Sequence, residues 1–152
     1  MKILFVCTGN TCRSSMAAAL ARHLLAERSR GPEEVLVASA GIAAVEGEPA
    51  SREAIQALAE MGIDLSGHRA AVLTAEALAQ ADLVLTMTAW HCRYVQELHP
   101  DEAHKVFTLA DYAQVEGDIP DPIGQPLQTY RDTALRLKDL ISKALDRLEK
   151  EQ

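Results

Sequence analysis

The sequence predicts an α/β protein: a doubly wound, three-layer sandwich whose four-stranded parallel sheet is flanked by helices. Three observations predict it. Four short apolar runs, KILFV, EVLVAS, DLVLTM and KVFTL, have the length and β-branched content of buried strands. Between them lie segments with helical spacing, each long enough for a crossover connection. No two runs are joined by a hairpin-length turn, so right-handed crossovers and parallel pairing follow.

Lys2 to Val6 is the first strand, apolar throughout and therefore covered on both faces. From Arg13 to Arg28 the pattern becomes helical, with Met16, Leu20, Leu24 and Leu25 on one side, and Gly31-Pro32 breaks it. Glu34 to Ser39 reads as the second strand, and Ile42 to Glu48 as a loop. Ser51 suits the N-cap of a helix carrying Ala54, Leu58 and Met61, with Gly62 as its stop. Leu73 to Glu76 begins a short helical turn. Asp82 to Met87 is the third strand, Ala89 to Leu98 a helix closed by Pro100, and Lys105 to Leu109 the fourth strand. The segment Asp118-Ile119-Pro120-Asp121-Pro122-Ile123-Gly124 is too rich in turn formers to be helical. A long helix follows from near Pro126, its periodic face running from Leu127 and Tyr130 to Leu148.

The totals bound the function. The 152 residues amount to one domain, read as 1–152, and 48% hydrophobic content is enough for a core. A net charge of −7 and a pI near 5.2 argue against a nucleic-acid partner, which needs a basic face. They leave room for a small pocket holding one phosphate. Three cysteines, Cys7, Cys12 and Cys92, make a poor disulfide framework and suit a reducing cytoplasm. No window has the length of a membrane span, and the opening apolar run is too short for a signal peptide. The expectation is a cytoplasmic protein with no membrane partner.

In doubly wound sheets, ligands bind beyond the carboxyl ends of the strands, where the strand order reverses. The stretch VCTGNTCRSS occupies the loop after the first strand. Small and polar residues leading into a helix N-terminus make a backbone cradle for an anion, backed by the helix dipole. Arg13 adds a planar fork that matches two oxygens of a phosphate. The same positive field favours the thiolate form of Cys7, placing a nucleophile beneath the phosphorus. Ser14 is placed to donate to that thiolate. With one glycine the loop is not a dinucleotide fingerprint, and without Gly-Lys-Ser/Thr it is not a Walker loop. Trp90-His91-Cys92 lacks a second ligand cluster, so no metal site is expected, and the charged face of the last helix reads as solvated.

VCTGNTCRSS resembles the phosphate-binding loop of the low-molecular-weight protein tyrosine phosphatases. The resemblance runs through essentially the whole chain, including Ser39-Ala40-Gly41, Gly67-His68, the Asp82–Met87 strand and Asp121-Pro122. It implies a sheet order of 2-1-3-4 and a catalytic set of Cys7 as nucleophile, Arg13 as phosphate clamp and Asp121 as general acid. It implies that Thr8, Gly9, Asn10, Thr11, Cys12 and Ser14 bind the substrate phosphate, and that phosphate or sulfate occupies the loop. Asn10 would be held in a strained conformation by Ser39 and His68, and Cys12 would be a resolving thiol able to trap oxidised Cys7. Neither metal nor cofactor is implied, and the partners would be phosphorylated proteins.

Within that family the loop is most similar to that of the bacterial protein arginine phosphatases. Tyrosine-directed members usually carry an aliphatic residue at the position of Thr11 and aromatic residues after Asp-Pro; here Ile123 and Gly124 follow. Arginine phosphatases often have Phe where Ile123 stands, and many tyrosine-directed members have Arg where Ala71 stands. Phosphoarginine is the expected substrate and phosphotyrosine the alternative. A thioredoxin-coupled arsenate reductase would need a further cysteine pair, and only Cys92 lies beyond the loop. A phosphoprotein sensor or phosphocysteine carrier would not need Cys7, Arg13 and Asp121 together.

Overall fold

The structure, a computed structural model, describes residues 1–151. Its four strands are β1 (Lys2–Cys7), β2 (Leu36–Gly41), β3 (Leu83–Thr86) and β4 (Val106–Thr108). All pairings are parallel and the order is β2-β1-β3-β4, as the sequence led one to expect. The helices are α1 (Arg13–Glu27), α2 (Arg52–Ala59), α3 (Ala75–Gln80), α4 (Ala89–Leu98), α5 (Leu109–Tyr112) and α6 (Leu127–Glu151).

Two apolar layers sandwich the sheet, and strand alternation assigns residues to them. Ile3, Phe5 and Cys7 of β1 face the layer built from α1, α2 and α6, while Leu4 and Val6 face α3 and α4. Helix α1 lies between the sheet and α6 and is buried nearly all round, which its alanines permit by letting neighbours approach closely. Met16, Leu20 and Leu137 are fully buried, and truncation of such a side chain to Ala costs about 2–5 kcal/mol. Because Cys7 ends β1 on the α1 side, its sulfur lies beside the start of α1.

Several boundaries differ from expectation. The amides of Glu34 and Val35 both donate to Gly31 O, so the turn after Gly31-Pro32 delays β2 until Leu36. That strand continues to Gly41 because Cys7 pairs with it. Helix α2 stops at Ala59 rather than at Met61, with Gly62 at φ 79° and the amides of Gly62 and Ile63 returning to Ala59 O and Leu58 O. Thr108 Oγ1 accepts from Asp111 N, which caps α5 and truncates the fourth strand before Leu109. Pro100 closes α4 as expected, and a 3₁₀ turn, Pro100–Lys105, follows it.

Strand order reverses about β1, since the chain moves to β2 on one side and then to β3 on the other. The loop from Thr8 to Cys12 opens at this switch point. Gly41 is required there: a Cβ would meet Thr8 O at 2.5 Å. No helix among the described residues is long and apolar enough to cross a membrane.

Candidate active site

Cys7, Gly9, Asn10, Thr11, Cys12 and Arg13 line one small concavity with Asp121 and Ile123 from the loop before α6. Residues more than 100 positions apart thus meet at the carboxyl end of β1. A roomier hollow of about 210 Å³ lies by the start of β2, among Leu25, Pro32 and Leu36, but it is apolar and holds no nucleophile.

The loop is held by contacts to its own side chains and to its neighbours. Asn10 is completely buried and sits at φ 59°, the left-handed region that Asn tolerates better than most residues. Its Oδ1 accepts from Ala71 N at 3.0 Å, so its amide nitrogen is the group that donates to Ser14 Oγ at 2.8 Å. Asn10 O accepts from His68 Nε2 at 2.6 Å. Burial pushes His68 below the usual imidazole range, outweighing the opposing effect of that hydrogen bond.

Of the two expected tethers, His68 is present and Ser39 is not. Ser39 lies on β2 opposite Phe5, two residues short of the loop, and has no bond to Asn10 among the described residues. Ser14, the second residue of α1, is within reach and takes that place.

Cys7 Sγ lies 2.9 Å from Ser14 Oγ and accepts from Asn10 N at 3.3 Å. Because Ser14 Oγ already accepts from Asn10, its own hydrogen is free to point at the sulfur; Ala40 O is farther, at 3.5 Å. Two donors therefore converge on the sulfur. Among the described residues, the amides of Gly9, Thr11 and Cys12 have no protein acceptor, which is the condition a backbone cradle for an anion requires.

Arg13 is 5% exposed. It donates to Ile119 O at 3.0 Å, and its other terminal nitrogen lies 3.6 Å from Asp121 Oδ2. Asp121 Oδ1 accepts from Ile123 N, an Asx-type turn that aims the carboxylate at the concavity. Cys12 lies behind the loop, donating to Ser51 Oγ at 3.3 Å, with Tyr130 Oη at 3.8 Å. Ser51 also caps α2, and its amide donates to Thr11 O at 3.0 Å. Thr11 is half-buried at the rim, and Thr8 is exposed.

A model of the family described as low molecular weight phosphotyrosine protein phosphatase matches residues 2–152. The chain belongs to that family. The protein-arginine-phosphatase of Geobacillus stearothermophilus is 42% identical over 152 residues, covering 99% of this chain and 98% of that protein. The low molecular weight protein-tyrosine-phosphatase PtpB of Staphylococcus epidermidis is 35% identical over 143 residues, 94% of this chain and 96% of that protein. Among solved structures, a cysteine-to-serine mutant of the YwlE arginine phosphatase with a phosphorylated active-site serine superposes with a TM-score of 0.94. It is 37% identical, over 100% of this chain and 98% of that one.

Sequence reasoning weighed His91 only as a metal ligand and missed its place beside the loop. It is 2% exposed, with Nε2 2.8 Å from Thr8 Oγ1 and Nδ1 2.9 Å from Thr88 Oγ1. Burial, reinforced by the charge of Arg13, pushes its pKa down to about 4, so the ring is neutral near pH 7. The available signal was Thr88, an N-cap three residues ahead, since His91 N donates to Thr88 Oγ1. Asp118 was also missed: its carboxylate accepts from Ala89 N at 2.9 Å and ties the Asp121 loop to α4.

Proposed function

We propose that this chain is a cysteine-dependent protein phosphatase working through a phosphocysteine intermediate in a reducing cytoplasm, with phosphoarginine as its substrate. The observation that carries the substrate choice is the concavity itself. No aromatic side chain lines it, and a hydroxyl residue, Thr11, stands on its rim beside Ile123. Such a rim offers a hydrogen-bonding partner to a planar guanidinium and no stacking surface to a phenol ring. The arginine phosphatase relatives support this reading. Phosphotyrosine is the second candidate, favoured by the likeness to PtpB.

The residues divide the reaction as follows. The loop amides and the Arg13 fork hold the phosphoryl oxygens and stabilise the charge of the transition state. The Cys7 thiolate attacks phosphorus while the bond from phosphorus to the guanidinium nitrogen breaks. Asp121, protonated at that moment, gives its proton to the departing nitrogen. Water then attacks the phosphocysteine, Asp121 takes its proton, and the sulfur–phosphorus bond breaks. Ser14 Oγ, 2.9 Å from the sulfur, stabilises the thiolate that leaves. A phosphorylated serine in place of the active-site cysteine of YwlE supports covalent transfer to this position. Asn10 and His68 shape the loop, and Cys12 serves as the thiol that traps oxidised Cys7.

The test is release of phosphate from matched phosphoarginine and phosphotyrosine peptides by the purified chain, with Cys7→Ser as control. Faster turnover of phosphoarginine, lost in Cys7→Ser, is expected. Preference for phosphotyrosine would overturn the substrate choice, and full activity of Cys7→Ser would overturn the mechanism.

A further inference from the structure

The phosphatase reading leaves the buried imidazole of His91 without a task. His91 is as buried as the core leucines, yet it contacts the residue directly after the nucleophile. Its two ring nitrogens face two threonine hydroxyls, Thr8 Oγ1 and Thr88 Oγ1. A neutral imidazole has one donor and one acceptor nitrogen, and each hydroxyl can serve either, so both nitrogens are satisfied.

The position of this bridge suggests what it does. The carbonyls of Cys7 and Thr8 accept from Ile42 N and Ala43 N, both at 2.9 Å, which holds the nucleophile's backbone from the β2 side. His91 holds Thr8 from the opposite side, through β3 and α4. The same junction fixes the acid loop, since Ala89 N donates to Asp118 and Ile119 N to Met87 O. Ile119 O in turn receives Arg13. One rigid corner, from Met87 to His91, therefore sets the nucleophile loop and the acid loop against each other. Small displacements of positioned groups lower rates steeply.

Resting on the phosphatase reading above, we infer that His91 is a positioning residue: through Thr8 it fixes the backbone that carries Cys7, so that thiolate, cradle and Asp121 stay in register. A histidine that merely fills the core would support stability without any dependence on which ring nitrogen is kept. A positioning role depends on the Nε2 side, because that is the side reaching Thr8.

The experiment compares His91→Gln, whose amide reaches toward Thr8, with His91→Asn, whose shorter amide reaches only Thr88. Turnover of p-nitrophenyl phosphate and thermal midpoints are measured for wild type and both variants. Activity of the wild type first decides the phosphatase reading on its own. His91→Asn is expected to lose tenfold or more in kcat with KM within about twofold, and His91→Gln to keep at least half of kcat. Their thermal midpoints should be similar. Equal kcat in the two variants, or kcat that simply follows thermal stability, would overturn the inference. Should His91→Asn fail to fold, Thr8→Val removes the same contact from an exposed position. It is expected to lower kcat to the same degree in the wild type and in His91→Gln, because both still make the contact that it removes. A wild-type kcat in Thr8→Val overturns the inference.

Discussion

The guanidinium of Arg13 lies 3.6 Å from the carboxylate of Asp121 while its other end donates to the carbonyl of Ile119, two residues earlier on the same loop. One side chain, the proposed phosphate clamp, thus grips the loop that carries the proposed acid. In the proposed mechanism, Arg13 keeps Asp121 close to the bond that breaks. Asp121→Asn keeps the shape and removes the transferable proton. Its kcat on a phosphotyrosine peptide should fall by about 10²–10³ with KM nearly constant. The loss on phosphoarginine should be smaller, because the N–P bond is intrinsically labile. Steady-state kinetics on both peptides check this, and an unchanged kcat removes Asp121 from the mechanism.

Thr11 stands at the rim with its carbonyl fixed by Ser51 N. Replacing it by Ile exchanges a hydroxyl for an apolar wall that packs against a phenol ring. Thr11→Ile should shift the ratio of kcat/KM toward phosphotyrosine by about tenfold, or ~1.4 kcal/mol in the barrier. If that ratio stays put, substrate choice resides elsewhere.

Asn10 combines a left-handed backbone with four hydrogen bonds: its backbone amide donates to Cys7 Sγ, its side-chain amide donates to Ser14 Oγ, and its carbonyl and side-chain oxygens accept from His68 and Ala71. Asn10→Ala loses both side-chain bonds and adds backbone strain, for a destabilisation of about 2–4 kcal/mol. Asn10→Gly loses the same bonds without the strain and should recover about 1 kcal/mol of that. Urea unfolding decides: a glycine variant no more stable than the alanine variant would mean that φ 59° carries no strain.

Histidine burial makes stability pH-dependent with a definite sign. His91 titrates near 4 in the fold and near 6.5 when unfolded, among Arg13, Asp118 and Asp121. Between those values the unfolded chain binds a proton that the folded chain does not, so stability falls as pH drops from about 6.5 toward 4. The loss is on the order of 1–3 kcal/mol. Burial depresses His68 as well, and it contributes with the same sign. Unfolding at pH 7 and pH 5 should show a smaller difference in His91→Gln than in the wild type.

The strands, the crossover helices and the loop after β1 were legible in the sequence, and the order of the strands followed from the family resemblance. Apolar periodicity, caps such as Ser51 and breakers such as Gly31-Pro32 and Gly62 act over a few residues, and their signatures are local. The chemical types in VCTGNTCRSS were likewise enough to place an anion cradle after β1. The resemblance named His68 and Asp121, and tertiary structure alone decided the other groups that complete that loop. Ser14 rather than Ser39 holds the Asn10 amide, because β2 places Ser39 opposite Phe5 and two residues away from the loop. His91 and Asp118 brace the two loops only because parallel pairing of β1 with β3 brings the start of α4 beside Thr8. Such pairings join positions as many as 83 residues apart, and no local preference of the chain encodes a contact at that separation.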